Sequence, residues 1–353
     1  MRISRIDNLK GIGILLIVLG HCKLPPGNLL TSYLFSFHVA LFFILSGFLF
    51  DENKYDKITK FFKNRFLRLV IPFFAFNIIY FAINKSIGEY AGTTIKDFAI
   101  GVFYGDYLGD NGGIYNNTGG FNLGNISTWF LTALFTTSFY YFFLHKITKS
   151  KKIKLLIAFI FSIIVYIESK LTNFRSPWGA EIAFMMLLFY SFGNIFKDHI
   201  KKFVEKINSK YLLYIIPVIG IHLLLINMTN ISMGYYGNYA LLILDSLLGF
   251  ITILVISKQI GDNKILSFFG KNSIIILGFE WIKIFVEKYT DFFTFCLLHF
   301  EKSFLFGFTQ FFITIIALVP IIFIINNFFP FILGMGYKYS MVRKYLPFSQ
   351  KWI

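Results

Sequence analysis

His21 is an ionisable side chain inside the first apolar run of the chain, residues 6–22. Ionisable groups are costly within a membrane and are therefore functional candidates by default. A neutral imidazole can accept a proton near pH 7, so the chemistry that His21 could supply is general base catalysis. A histidine that merely forms a hydrogen bond with a neighbouring helix would give the same sequence.

Lys10 and Asp7 share the helical face of His21. At about 100° per residue, Lys10 and His21 differ by about 20° after whole turns, and Asp7 lies one turn before Lys10. A rise of about 1.5 Å per residue places His21 about 16 Å beyond Lys10, at mid-membrane or further out. Gly11 in the same run permits close approach of another helix or a ligand.

Arg65 and Arg68 form a second candidate group at the start of the third apolar run. They lie one helical turn apart and are followed by Pro72. Paired guanidinium groups suit phosphates, which they bind through bidentate, permanently charged hydrogen bonds. A basic anchor at the cytoplasmic membrane surface would use the same residues. The sequence therefore indicates either a phosphate site or an anchor.

Four further candidates are distributed over other apolar runs. His38 and Ser46 lie in the second run, and Trp129 begins the fourth, where a residue of the interfacial aromatic belt is the alternative. Glu280 is the carboxylate most clearly surrounded by apolar sequence, and burying its protonated, neutral form there would cost little free energy. The two cysteines form neither a disulfide framework nor a metal site, and no metal is expected.

The elements that must position these side chains are apolar helices. The chain has 353 residues, of which 56% are hydrophobic and 15% charged, and its mean hydropathy is +0.66. Apolar runs of about 17–25 residues recur along it, and each can cross a bilayer as a helix. A β-barrel would need alternating segments, which the run 35–50 lacks. We therefore predict an all-α membrane protein with one domain over residues 1–353.

Ten transmembrane helices are predicted. They cover residues 6–22, 34–50, 67–83, 126–145, 153–168, 180–196, 211–227, 239–257, 266–287 and 305–333. With the N-terminus in the cytoplasm, 26 of the 34 basic residues fall on the cytoplasmic side. This asymmetry predicts that both termini are cytoplasmic and that the protein lies in the inner (cytoplasmic) membrane. The basic loops meet anionic membrane lipids there, so the net charge of +16 requires no nucleic acid.

Residues 84–127 form the predicted extracytoplasmic loop. The loop is long and rich in Gly, Asn and Tyr. Long loops in compact proteins are often functional, and this composition suits carbohydrate or other polar ligands. A flexible surface loop is the alternative.

Five short motifs, in this order along the chain, resemble those of the integral-membrane acyltransferase-3 family. The family carries a basic residue, ten intervening residues and a histidine in its first helix, as Lys10 and His21 do here. The other four motifs are the second-helix stretch 37–49, the arginine motif 65–72, Trp129-Phe130-Leu131 and the Gly-Lys-Asn-Ser stretch within 269–273. The similarity extends over nearly the whole chain.

The resemblance implies transfer of an acyl group, usually acetyl from acetyl-CoA, to a sugar hydroxyl. Acceptors in the family are typically surface polysaccharides or their lipid-linked precursors. Some members carry an additional extracytoplasmic hydrolase-like domain. A chain of 353 residues leaves no room for that domain, so it resembles the stand-alone form.

The resemblance also implies roles for the candidate residues. His21 would be the general base, with Asp7 and Glu280 as further members of the catalytic group. Many relatives have a histidine where this chain has Glu280, which here would orient His21, bind the acceptor or have no role. The phosphates of acetyl-CoA would bind Lys10, Arg65 and Arg68. The acceptor would contact His38, Ser46 and Trp129.

A transporter or flippase for a lipid-linked sugar is the alternative function. It explains ten spans, ionisable groups inside the membrane and a long outer loop equally well. It does not explain why a pair of cations, Arg65 and Arg68, lies at the cytoplasmic end of the helices, about one pantetheine length from His21.

Overall fold

The structure is a computed structural model that describes residues 3–51, 54–55, 57–88, 94–104, 125–172, 176–286 and 303–335. In these ranges the chain is helical, apart from turns and one isolated antiparallel pairing between Asn230 and Tyr235. The prediction of an all-α protein is therefore confirmed for the described part of the chain.

The helices of the described residues are numbered in chain order. The first seven are α1 (Ile3–Gly20), α2 (Leu29–Leu49), α3 (Ile58–Arg65), α4 (Ile71–Ser86), α5 (Ile95–Tyr104), α6 (Trp129–Ile147) and α7 (Lys151–Leu171). The others are α8 (Ala180–Ile195), α9 (Lys197–Lys206), α10 (Tyr211–Leu225), α11 (Tyr239–Ile260), α12 (Lys264–Lys271), α13 (Ser273–Phe279) and α14 (Phe304–Phe328).

Within the described ranges, five helical segments are long and apolar enough to cross a membrane. They are Leu29–Leu49, Ile58–Ser86, Pro177–Ile195, Tyr239–Ile260 and Phe304–Phe328. A sixth crossing results when Lys264–Lys271 and Ser273–Val286 are counted together. The other four predicted spans fall on α1, α6, α7 and α10, which are shorter or more polar. The chain is thus a helical membrane protein, whereas ten spans with both termini in the cytoplasm stay a prediction.

The α2 helix lies at the centre of the bundle, where it packs against α1, α8 and α11. Most of its residues from Leu34 onward are buried. Asn28 caps its first turn by accepting a hydrogen bond of 2.8 Å from the Thr31 backbone N–H. This helix carries the buried His38 and the half-buried Ser46.

A reciprocal glycine contact holds α1 against α12. A Cβ atom on Gly11 would clash with the carbonyl oxygen of Leu266, and one on Gly270 would clash with the carbonyl oxygen of Asp7. The two backbones therefore touch, as small residues allow between membrane helices. The close approach predicted at Gly11 is confirmed, and its partner is α12.

The predicted span 266–287 corresponds to a pair of helices that is bent by 62°. The break lies at Asn272, whose side-chain amide donates a hydrogen bond of 2.8 Å to the Phe268 carbonyl. Asparagine competes in this way with the regular helical ladder. The bend gives α13 its own direction, and α13 leads directly into Glu280.

A π-helical turn over Phe66–Val70 joins α3 to α4, and Ile71 donates its N–H to the carbonyl five residues back. A proline ring clashes with the carbonyl four residues before it, and Pro72 lies two residues after this turn. The wider turn relieves that clash. The helix therefore begins at Ile58 rather than at the predicted residue 67, because the turn accommodates the proline without ending the helix.

The π-helical turn also separates the two arginines, which the sequence places one regular turn apart. Arg65 is half-buried, whereas Arg68 is exposed. The wider turn changes the angle between residues three apart, so the two guanidinium groups do not share one environment.

The predicted outer loop 84–127 is only partly described. The α4 helix extends to Ser86, and the short helix α5 lies within the region predicted as a loop. The Gly- and Asn-rich part between residues 105 and 124 lies outside the described residues. A role for that part in ligand binding stays a prediction.

Candidate active site

His21 follows the last residue of α1 and meets Glu280 at the end of α13. The Nδ1 atom of His21 lies 3.0 Å and 3.1 Å from the two carboxylate oxygens of Glu280. Because a carboxylate only accepts, Nδ1 donates, and Nε2 carries the ring's lone pair. The His21 side chain is 28% exposed and that of Glu280 only 2%. The pair therefore buries its acid and leaves its basic nitrogen accessible.

Two further groups fix this pair. The Ser127 hydroxyl donates a hydrogen bond to the same carboxylate of Glu280. The ammonium group of Lys283 donates to the backbone carbonyl of His21 over 3.3 Å. The carboxylate is thus satisfied by two donors, and the end of α1 is tied to the turn that carries Glu280. Such second contacts hold a catalytic side chain in one orientation.

A pair of asparagines positions Ser127 and Glu280 relative to each other. The backbone N–H of Asn125 donates to the Asn77 side chain on α4 over 2.8 Å. The side-chain amide of Asn125 donates to the Gly278 carbonyl over 2.6 Å. Ser127 lies two residues after Asn125, and Glu280 lies two residues after Gly278. These buried hydrogen bonds therefore set the register between α6 and α13 at the site.

A small pocket opens beside His21. Its lining combines apolar and aromatic side chains with uncharged amide, hydroxyl and imidazole groups. The lining residues are Ile17, His21, Phe35, His38, Val39, Ser127, Trp129, Phe130, Asn230, Ile231, Ser232 and Leu277. A concave, largely apolar site with a few polar groups is the usual form of a small-molecule site.

Two of the three residues predicted to contact the acceptor, His38 and Trp129, line this pocket. His38 is buried, and its Nδ1 atom donates to the Leu34 carbonyl over 2.7 Å. That hydrogen bond leaves Nε2 as the nitrogen free to accept. The centres of the His21 and His38 rings lie 6.3 Å apart, and Phe35 contacts both rings.

Lys10, Asp7 and Arg65 come together at the other end of α1. The Asp7 carboxylate attracts the Lys10 ammonium, while the Arg65 guanidinium on α3 is close enough to repel it. Arg65 lies over the Phe61 ring and donates to the Tyr190 hydroxyl over 3.5 Å. Its Nε atom is buried and has no hydrogen-bond partner within the described part of the chain. Two adjacent cations with a spare donor suit an anionic ligand.

Residues 3–327 match the model of the acyltransferase-3 family, which is described as an acyltransferase domain. The chain belongs to this family. The match confirms the resemblance drawn from the five motifs, and it makes the chain a membrane acyltransferase. No match was found among curated proteins or among solved structures.

Three candidates of this acyltransferase lie away from the His21 pocket. Asp7 precedes His21 by about 21 Å of helix and lies with Lys10 instead. Ser46 is half-buried and does not line the pocket. Arg68 is exposed. The catalytic role of Asp7, acceptor binding by Ser46 and phosphate binding by Arg68 stay predictions.

Sequence reasoning missed the residues of the acyltransferase site that support Glu280. Asn77 is a polar side chain in an apolar span, which is a costly feature and was a usable signal. Ser127 belongs to the polar run 125–128 directly before the Trp-Phe-Leu motif. The hydrogen bonds that build the site join Asn77 to Asn125, 48 residues away, and Ser127 to Glu280, 153 residues away, so they could not be anticipated from local sequence.

Proposed function

We propose that this acyltransferase moves an acetyl group from cytoplasmic acetyl-CoA to a hydroxyl of a saccharide on the opposite side of the membrane. The acceptor is a cell-surface polysaccharide or its lipid-linked precursor, and the protein acts in the inner membrane. The observation that supports this most directly is the His21–Glu280 pair, which offers a free Nε2 atom to a pocket lined by uncharged polar and aromatic groups.

The proposed reaction is direct transfer. Nε2 of His21 removes the proton from the acceptor hydroxyl while the hydroxyl oxygen attacks the thioester carbonyl. The new carbon–oxygen bond forms, the carbon–sulfur bond breaks, and His21 returns the proton to the departing CoA thiolate. Glu280 stabilises the imidazolium that forms between these steps and keeps Nε2 as the basic nitrogen, as the aspartate does in serine proteases.

The donor reaches the site from the cytoplasmic side. Lys10 and Arg65 would bind its phosphates, and the unpartnered Nε atom of Arg65 supports this assignment. Lys10 lies about 16 Å below His21 along α1, a separation that a pantetheine arm can span. Arg68, exposed on the following turn, would contribute a further positive charge to the same phosphates.

The test of the base uses purified protein in lipid nanodiscs, acetyl-labelled acetyl-CoA and envelope glycans from the producing cells. We expect His21→Ala to lower label transfer by about 10³-fold, within the usual contribution of a general base. The matched control is His199→Ala, because His199 is exposed on α9 and should leave the rate unchanged. Normal transfer by His21→Ala would exclude His21 as the base, and a pure transporter would release no CoA.

The test of the donor site measures equilibrium binding of acetyl-CoA. We expect Arg65→Ala to weaken binding by about tenfold, because a charged hydrogen bond to phosphate is lost. Lys63→Ala serves as the control, since Lys63 is exposed on the same helix. Equal affinities of the two variants would remove Arg65 from the donor site.

A further inference from the structure

The connection between α10 and α11, residues 226–238, contributes one wall of the His21 pocket. Asn230, Ile231 and Ser232 of this loop line the pocket together with His21 and Trp129. None of the five family motifs falls in this loop, and sequence analysis assigned it no role. Its place beside the proposed base makes its polar groups candidates for contact with the acceptor.

The loop is internally braced. The Asn227 side chain donates to the carbonyls of Tyr236 and Asn238 over 3.0 Å and 3.1 Å, and it accepts from the Asn238 N–H over 2.8 Å. Asn230 and Tyr235 exchange two backbone hydrogen bonds of 2.8 Å and 2.9 Å. The six residues from Asn230 to Tyr235 thereby form a compact hairpin in which backbone polar groups are paired.

Two contacts anchor the hairpin to the bundle. The buried Asp245 on α11 accepts a hydrogen bond of 2.8 Å from the Asn227 backbone N–H. The Thr229 hydroxyl donates to the carbonyl of Phe35, itself a pocket residue, over 2.9 Å. A wall fixed in this way needs little ordering when a ligand binds, and that lowers the cost of binding.

Asn230 presents an unused donor. Its Oδ1 atom accepts from the Ser232 hydroxyl over 2.7 Å and from the Met233 N–H over 3.4 Å. Its Nδ2 group makes no hydrogen bond within the described part of the chain, although Asn230 lines the pocket. An amide can donate two hydrogen bonds, so Nδ2 can serve the oxygen atoms of a ligand.

The pocket lining also limits the charge of that ligand. Among the described lining residues, none is a carboxylate, a lysine or an arginine. Trp129 and Phe130 supply aromatic surfaces, which suit the C–H faces of a sugar ring, and Asn230 and Ser232 supply groups that suit its hydroxyls. An anionic sugar would lose its hydration here without gaining a counter-charge.

We infer that the loop 226–238 is the acceptor-recognition wall and that Asn230 binds a neutral, hydroxyl-bearing sugar ring of the acceptor through Nδ2. The inference rests on the proposed function and adds to it the charge class of the sugar and the residue that contacts it. It also predicts that a uronic acid is a poor occupant of the same position.

The test compares Asn230→Ala with Asn238→Ala in nanodiscs. In each asparagine, Oδ1 accepts two hydrogen bonds within the loop or the first turn of α11, but only Asn230 lines the pocket. The probes are the methyl glycosides of glucose, N-acetylglucosamine and glucuronic acid, and their binding is followed by saturation-transfer NMR without acetyl-CoA. Ser232→Ala provides a second pocket variant that leaves the asparagine in place.

We expect at least one neutral glycoside to bind the wild-type protein more tightly than the glucuronide does. Asn230→Ala should weaken that binding about tenfold, Ser232→Ala about threefold, and Asn238→Ala less than twofold. Equal effects of the two asparagine variants, a preference for the glucuronide, or no binding of any probe would each overturn the inference. Wild-type protein that binds a glycoside but transfers no acetyl would instead overturn the proposed function alone.

Discussion

Two groups of one serine, one histidine and one carboxylate lie among the helices of this protein. The pocket group consists of Ser127, His21 and Glu280, and the buried group consists of Ser36, His222 and Asp245. Both use the same functional groups, and both join helices that are far apart in the sequence. They differ in which imidazole nitrogen the carboxylate engages and in whether anything can reach the other nitrogen.

In the buried group, serine and acid face the same nitrogen. Nε2 of His222 lies 2.8 Å from the Ser36 hydroxyl and 3.8 Å from a carboxylate oxygen of Asp245. Both His222 and Asp245 have no exposed surface, and Tyr33 and Phe37 pack on the imidazole. The other ring nitrogen, Nδ1, is buried and has no partner within the described residues. No substrate can therefore reach either nitrogen.

The comparison shows that residue type within a membrane does not by itself identify catalysis. The expectation that an intramembrane ionisable group is functional stays a prediction for His21, whose side chain lines a pocket. For His222 the same expectation yields a structural role, because the buried group joins α2, α10 and α11. Through Asp245 it also holds the loop that forms a wall of the pocket.

The largest contrast is expected when each acid is changed to its amide. Glu280→Gln should lower acetyl transfer by about 10³-fold, because a neutral amide can leave the wrong nitrogen of His21 protonated. Asp245→Asn keeps an oxygen that can accept from Asn227 and should change the rate less than about fivefold. The measurement is label transfer from acetyl-CoA at saturating donor. Similar rates for the two variants would show that the two groups are functionally equivalent.

For stability we expect the reverse order, with the larger effect in the buried group. His222→Ala should lower the free energy of unfolding by about 2 kcal/mol, because it leaves a cavity and unpaired polar groups among packed helices. His21→Ala should change stability far less, since His21 is partly exposed. Thermal unfolding followed by tryptophan fluorescence in detergent would measure both. A larger loss of stability in His21→Ala would contradict the assignment of the two histidines.

Two asparagines on α4 test whether the hydrogen bonds around Asn125 position the pocket group. Asn77 and Asn84 lie two turns apart, and each side chain donates to the carbonyl four residues before it over 2.8 Å. Only Asn77 also joins Asn125 and thus the region of Ser127. Asn77→Ala should lower transfer about tenfold, as expected for a misplaced catalytic carboxylate. Asn84→Ala is the matched control, and an equal loss in both variants would argue against the scaffold.

The sequence predicted the features that depend on one regular helix and missed those that depend on packing. The shared face of Lys10 and His21 follows from helical periodicity, because α1 is regular over its length. The contact of His21 with Glu280 joins residues 259 apart and requires the bend before α13, which no local pattern reveals. The different environments of Arg65 and Arg68 result from the π-helical turn before Pro72, which the sequence also did not reveal.

The smallest expected effect compares the two serines. Ser127→Ala removes one of the two donors to the Glu280 carboxylate, so the acid should hold His21 less precisely and transfer should fall about fivefold. Ser36→Ala should leave transfer unchanged, because within the described residues the Ser36 hydroxyl forms hydrogen bonds only with the backbone of Tyr33 and the inaccessible His222. Rates at saturating acetyl-CoA and several acceptor concentrations would separate orientation from binding. A loss in Ser127→Ala confined to acceptor affinity would make Ser127 a part of the pocket wall rather than a support of the carboxylate.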